Sequence, residues 1–264
     1  MWPNRDYRTA DTAELREKLR HVYWIGGGSG SGKSTIARRI AARHGLHVYS
    51  TDDAMADHAR RSSPQDSPFL HRFMAMDMDE RWVNRHPTDM VDTFHWFRGE
   101  GFSLIIEDLL RLPRDVGVIV EGFRLLPRLV KPLLSSPARA VWLLPTPDFR
   151  QAAFERRGGS GSGFLARTTD PERALRNLLE RDRLFTDALR EELERLELPV
   201  IDVDATMSEE DLTARVTDAF YVPDGDLYVA TDHTRGPWNP KHQHGGPRNL
   251  DSGRGDDGLR RADD

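Results

Sequence analysis

The run Gly27-Gly28-Ser29-Gly30-Ser31-Gly32-Lys33-Ser34-Thr35 follows an apolar stretch, HVYWIG (21–26), and opens a segment with helical apolar spacing, STIARRIAARHG (34–45). A buried strand must end there, the chain must turn with almost no side chains, and a helix must start at once. The run fits G-x-x-x-x-G-K-[ST]. A polyphosphate lies against backbone N–H groups, and side chains would block its approach; glycine has no Cβ and accepts unusual dihedrals. The helix that follows turns its positive end toward the anion. Lys33 would bridge the β- and γ-phosphates, and the Ser34 hydroxyl would bind Mg²⁺. A second Gly/Ser run at 158–163 lacks the Gly-Lys-Ser ending and reads as a flexible break. Lysine is otherwise rare: it occurs only at Lys18, Lys33, Lys131 and Lys241.

The rest of the chain alternates strand and helix. Strands are expected at 21–26, 46–50, 117–122, 138–144 and 198–204, the third and fourth as continuous apolar runs that suit parallel strands buried on both faces. Gly45 reads as a helix stop, Asp170-Pro171 as the start of a long helix, and Ser208 with Asp211 as the start of the last one. The long helix carries a stripe of Leu175, Leu178, Leu179, Phe185, Leu189, Leu193 and Leu196. Alternation of this kind predicts a mainly parallel α/β sheet. We divide the chain into a helical extension (1–20), one α/β domain (21–221) and a mostly disordered Gly/Pro/Asp/Arg-rich tail (222–264).

The stretch VYWIGGGSGSGKSTIARRIAARHGLHVYSTDD (22–53) resembles the first half of small P-loop kinases: shikimate and gluconate kinases, chloramphenicol phosphotransferase and the polynucleotide 5′-kinase domain. The resemblance implies a three-layer P-loop NTPase fold of the α/β class. It would have a parallel five-stranded sheet, a helical acceptor cap at 54–116 and a lid at 156–171. ATP and Mg²⁺ are the implied cofactors. In these kinases an Asp after the second strand takes the proton of the acceptor hydroxyl, and Asp52 or Asp53 matches that place. Asp52 fits the shikimate-kinase-like spacing from Lys33, and Asp53 the chloramphenicol-phosphotransferase-like one. GVIVEGFRLLP (117–127) has the form of a Walker B strand and resembles the Asp-Gly-Phe-Pro-Arg segment of adenylate kinases, with Glu121 for Asp. Glu121 would join Ser34 at the metal, and Arg124 would reach the acceptor. Lid arginines would neutralise the transferring phosphoryl group: Arg157 and Arg167 foremost, with Arg156 and Arg173 beside them.

Within 54–116, Trp82, His95, Trp96 and Phe97 are candidates for an aromatic pocket, and Arg72, Arg81, Arg85 and Arg98 for an anion clamp. Of these, Arg72 and Trp96 are the expected substrate-binding residues. Isolated aromatic residues at helical spacing usually pack instead. The net charge of −5 argues against nucleic acid as a bulk partner, and the absence of cysteine excludes disulfides and thiolate chemistry. None of the four lysines has Asp two residues later, so the guanine-reading motif Asn/Thr-Lys-x-Asp is absent. No apolar run is long enough for a membrane span, and the polar start lacks a signal-peptide core, so a cytoplasmic protein is expected. The partner is expected to be a small-molecule acceptor, with oligomerisation left open. The alternatives are a nucleoside, nucleotide or polynucleotide 5′-kinase, and an ATP-binding switch or toxin-like module without an acceptor. Residues 221–247 resemble the entry segment of hot-dog thioesterases over some twenty-five residues, too few to build that fold.

Overall fold

The computed structural model describes residues 9–156, 158–161 and 163–220. The tail and Arg157 fall outside the described residues. In chain order the elements are α1 (Thr9–Lys18), β1 (Val22–Gly27), α2 (Lys33–His44), β2 (His47–Ser50), α3 (Met55–Arg61), α4 (Pro68–Ala75), α5 (Met78–Trp82), α6 (Pro87–Thr93) and α7 (Phe102–Arg111). Then follow β3 (Val118–Glu121), α8 (Pro127–Val130), β4 (Ala140–Pro145), α9 (Pro147–Arg156), α10 (Pro171–Leu196), β5 (Val200–Val203) and α11 (Glu209–Ala219). The five strands form one all-parallel sheet in the order β2-β3-β1-β4-β5.

The three central strands are buried along their whole length, which is why they read as unbroken apolar runs. Alternation along each strand still sorts side chains to opposite faces. Tyr23, Ile25, Ile119, Val141, Leu143 and Val203 pack with Ile36, Ala37 and Ile40 of α2 and Leu212, Val216 and Phe220 at α11. Val22, Trp24, Val118, Val120, Ala140, Trp142 and Leu144 face the other way, into a larger core with α7, α8, α10 and the segment between β2 and β3. Each fully buried large side chain here contributes about 2–3 kcal/mol. Trp142 also donates its Nε1–H to the Leu125 carbonyl at 2.8 Å, which satisfies its one polar atom.

Local chemistry sets the helix ends as expected. Gly45 takes φ +64° and its N–H returns to the Ala41 carbonyl. The Asp170 carboxylate accepts from Arg173 N ahead of Pro171, and Ser208 with Asp211 forms a reciprocal capping box.

The segment 54–116 is helical and covers one face of the sheet, but its aromatic residues make a core, not a pocket. Trp82, His95 and Phe97 are buried, and the Phe97 ring stacks on Phe185 of α10 at 3.5 Å. Three of the four proposed clamp arginines end on the cap's own carbonyl groups. Arg81 donates to Phe73 O and Met74 O, Arg85 to Asp89 O, and Arg98 to Asp92 O. Arg72 is exposed, with its guanidinium over the Phe69 ring. Short helices leave many orphan carbonyls, and arginine reaches them.

Candidate functional site

The sheet order puts β3 between β2 and β1, so three strand ends meet. Glu121, the last residue of β3, is in register with Ser50 of β2 on one side and Ile25 of β1 on the other. Ladder bonds continue past the strands: Thr51 N donates to Glu121 O at 2.9 Å and Gly122 N to Ile25 O at 3.1 Å. The connection from β1 leads to one side of the sheet and that from β3 to β4 to the other. In open α/β sheets that reversal makes a crevice at the carboxyl ends of the strands.

The glycine-rich loop leaves β1 at this point. Its glycines have different reasons. At Gly27 the φ is +124° and a Cβ would lie 2.1 Å from the Leu143 carbonyl oxygen, so packing against β4 demands glycine. At Gly30 and Gly32 the φ values are +79° and +82°, and a Cβ would meet nothing closer than 3.6 Å, so backbone conformation demands it. Ser31 Oγ donates to the Gly28 carbonyl at 2.9 Å. Lys33 is buried and its Nζ reaches back to the same carbonyl at 2.6 Å, so the ammonium spans the loop. Gly32 starts α2 with no side-chain cap, and the first turn holds no acidic residue. The first turn thus carries the positive end of the helix with no acidic side chain of its own against it. Ser29 lies in the loop and Thr35 within this first turn.

Ser34 Oγ donates to Glu121 Oε1 at 3.0 Å, across 87 positions of sequence. Glu121 is 1% exposed, and its Oε2 is buried with no hydrogen-bond partner. A buried carboxylate oxygen without a donor is costly and suits a cation or a water bound to one. Among the described residues no three His, Asp or Glu side chains converge as a metal cage. Two protein oxygens fit Mg²⁺, which keeps several waters and takes phosphate oxygens for the rest of its shell.

Asp52 and Asp53 follow β2. Neither caps α3, whose N-cap is Ala54 without a side-chain bond. Protein around Asp52 raises its carboxyl above the usual carboxylate range; Lys33 and Arg124 oppose this, while Glu121 and Asp53 reinforce it. Asp52 is nevertheless open to solvent at its surface. The two facts are compatible on the floor of an open cleft, where water touches the group but protein fills most of the surrounding volume. Behind it, Tyr49 Oη, His58 Nε2 and Arg61 Nη1 converge on the Asp108 carboxylate at 2.8, 2.8 and 2.7 Å, which ties α3 to α7.

Arg124 is 2% exposed, donates to Thr51 O at 3.2 Å and Gly101 O at 3.3 Å, and lies over the Trp96 ring. Burial lowers its pKa to about 10, so it stays charged at neutral pH. Its Nε has no partner. Arg124, Trp96 and Asp52 therefore border one region. Two of the lid arginines lie among the described residues with partners of their own. Arg167 is exposed and its charge acts on Arg81 of the cap, while exposed Arg156 donates to Ala152 O of its own helix. The segment ahead of α10 is tied to α5 by Thr169, whose N and Oγ1 donate to the Asp79 carboxylate at 2.8 and 2.6 Å.

Sequence reasoning missed one residue beside the loop. Arg150 of α9 is buried, and its Cγ lies 3.7 Å from where a Cβ of Gly30 would stand. The available signal was its spacing: it shares the inward face of α9 with buried Ala153, three residues on, where an apolar side chain is expected. A cavity of about 560 Å³ lies elsewhere, against β5 and α11, and is lined by Asp202, Asp204, Asp211 and Asp218. It is open and acidic and holds no loop residue, so the geometry of the strand ends, not cavity size, locates the site. Among the described residues no helix is long and apolar enough to cross a membrane.

No family model matches the chain, and no curated protein matches it. The crystal structure of an uncharacterized protein from Eubacterium ventriosum ATCC 27560 aligns with 75% of this chain and 97% of its own, at 14% identity and a TM-score of 0.39. Likeness at that level leaves function to be argued from the residues of this chain.

Proposed function

We propose that this protein is a P-loop kinase that transfers the γ-phosphoryl group of Mg·ATP to a hydroxyl of a small-molecule acceptor. The observation that carries the proposal is the Ser34–Glu121 bond: the loop hydroxyl and the third-strand acid meet at 3.0 Å, with one buried carboxylate oxygen left open. That is the pair of oxygens the motif requires at the metal.

The loop N–H groups and Lys33 hold the β- and γ-phosphates, Lys33 exchanging its internal carbonyl contact for phosphate oxygen. Ser34 and Glu121 hold Mg²⁺, which when bound neutralises charge on the phosphates. Asp52 accepts the proton of the acceptor hydroxyl as its oxygen bonds to phosphorus and the bond to the ADP oxygen breaks. The raised pKa of Asp52 makes it a better proton acceptor than an ordinary carboxylate. Arg124 and Trp96 border the acceptor side, where the buried guanidinium favours an acceptor bearing a negative or strongly polar group.

The test is ATP consumption by the full chain with fractionated metabolites as acceptors, beside Lys33→Ala and Asp52→Asn. The expected result is one fraction that raises turnover above basal hydrolysis, with both variants losing the increase. If no fraction raises turnover and Asp52→Asn hydrolyses ATP like the wild type, the acceptor-kinase proposal fails and an ATP-dependent switch is the better account.

A further inference from the structure

Arg150 sits where a cation is expensive. It is 2% exposed, its Nη2 donates to Thr186 Oγ1, and its Nε has no partner. Among the described residues no carboxylate makes an ion pair with it. The buried acid whose charge acts on it is Asp182, whose Oδ1 accepts from Arg181 Nε at 3.0 Å and Nη2 at 2.6 Å and whose Oδ2 makes no hydrogen bond to Arg150. Two buried guanidinium groups thus share one buried carboxylate; the other acid that acts on Arg150, Asp187, is exposed and so screened by solvent. Burial lowers the pKa of Arg150; Asp182 and Asp187 only partly oppose this, and Arg183 reinforces it. An uncompensated buried charge is destabilising, and an apolar residue of similar size usually replaces it at no loss.

A further anion has a place to come from. The Arg150 side chain passes the loop at Gly30, and its hydrogen-bond partner Thr186 Oγ1 lies 2.9 Å from where a Cβ of Gly28 would stand. The guanidinium is therefore one hydroxyl away from the first half of the glycine-rich loop. Lys33, by contrast, spans the loop's interior.

We infer that Arg150 is a positioning residue for the polyphosphate, a buried cation behind the loop whose charge is fully balanced only when the loop holds an anion. It acts through Thr186 and the Gly28–Gly30 backbone, and does not touch the reacting atoms. Its cost in the empty protein is recovered as affinity for the charged ligand. The inference rests on the proposed phosphate-binding role of the loop.

The experiment uses the full chain, with Arg150→Met and Arg150→Lys. Thermal unfolding is measured without ligand, and binding of Mg·ATP and of inorganic tripolyphosphate by calorimetry. Arg150→Met is expected to unfold at the same temperature as the wild type or higher, yet to bind both ligands about tenfold more weakly, the effect of one charge through a partly screened interior. Equal losses for both ligands place the effect on the anion and not on the nucleoside. Arg150→Lys is expected to regain part of the affinity.

An Arg150→Met protein that melts lower, or fails to fold, with binding undiminished in whatever folds, gives Arg150 a structural role and overturns the inference. So does an affinity unchanged in a fully folded variant. If the wild type binds neither Mg·ATP nor tripolyphosphate, the phosphate role of the loop itself fails, which is a different result from a wild type that binds and a variant that binds equally well.

Discussion

His95 makes the cap acid-sensitive. Its side chain is fully buried, both ring nitrogens lack partners, and the rings of Phe73, Phe94 and Trp96 lie within 5.1 Å of it. Burial pushes its pKa down to about 3, and the charges of Arg124, Arg181 and Arg81 push the same way. The unfolded chain titrates near 6.5. Between these values the unfolded chain holds a proton that the folded one refuses, so this contribution to stability is complete above about pH 6.5 and is lost as pH falls. A gap from 6.5 to about 3, at about 1.4 kcal/mol per pH unit, amounts to about 5 kcal/mol, a large part of an ordinary domain's stability. Urea unfolding followed by tryptophan fluorescence at a series of pH values, in wild type and His95→Leu, isolates the effect, since the carboxylates common to both cancel. From pH 6.5 to 4.5 the wild type should lose about 2–3 kcal/mol more than the variant. At pH 7.5 the variant should be no less stable, because it removes two unsatisfied polar atoms. Parallel pH profiles, or an imidazole signal for His95 that titrates near 6.5, would refute the reasoning.

The two kinds of loop glycine should separate on substitution. Gly27→Ala, which drives a Cβ into the Leu143 carbonyl, should cost at least about 3 kcal/mol in urea unfolding, while Gly32→Ala should cost about 1–2 kcal/mol from its left-handed backbone alone. Asp52 has a raised pKa, so its ionisation opposes folding once pH exceeds the usual carboxylate range. Asp52→Asn should therefore melt higher than wild type at pH 7 while losing phosphoryl transfer, and the difference in melting should vanish near pH 3. Glu121→Gln keeps an oxygen for Ser34 but removes the charge beside the open site, so Mg²⁺-dependent binding of ATP should weaken at least about tenfold by calorimetry, with metal-free binding little changed.

The sheet was legible in the sequence because its central strands are buried on both faces and so carry unbroken apolar runs. Helix punctuation was legible for the same local reason: Gly45, Asp170-Pro171 and Ser208 with Asp211 act on groups a few residues away. The cap was not. Aromatic residues at helical spacing look alike whether they surround a ligand or each other, and Trp82, His95 and Phe97 turned inward. The carbonyl groups that Arg81, Arg85 and Arg98 reach exist only once the short helices are folded. Arg150 was hidden by abundance. In a chain with 38 basic residues, nearly all arginine, one more on a helix carries no signal until its inward face is known. Adjacent Asp52 and Asp53 could not be separated by spacing; the surroundings of Asp52, with Lys33, Glu121 and Arg124 acting on it, distinguish it.

The parts of the site differ in how firmly they are held. Glu121 is fixed by ladder bonds to both neighbouring strands, and Gly122 after it has φ +147° with Thr51 Oγ1 1.7 Å from where a Cβ would stand, so the floor admits almost no change. The roof rests on aromatic packing, on Arg181 lying over the Trp82, Phe94 and Phe97 rings, and on a neutral His95. The Asp79–Thr169 pair and the Trp82–Phe164 ring contact at 4.8 Å link it to the segment ahead of α10. Hydrogen-bond ladders resist displacement in fixed steps, whereas ring packing and single side-chain ties yield at lower cost. In the proposed reaction phosphate, metal and base belong to the floor, where fractions of an ångström matter to transfer. The proposed acceptor side belongs to the roof, so under that proposal acid that charges His95 should loosen acceptor binding before it disturbs the loop.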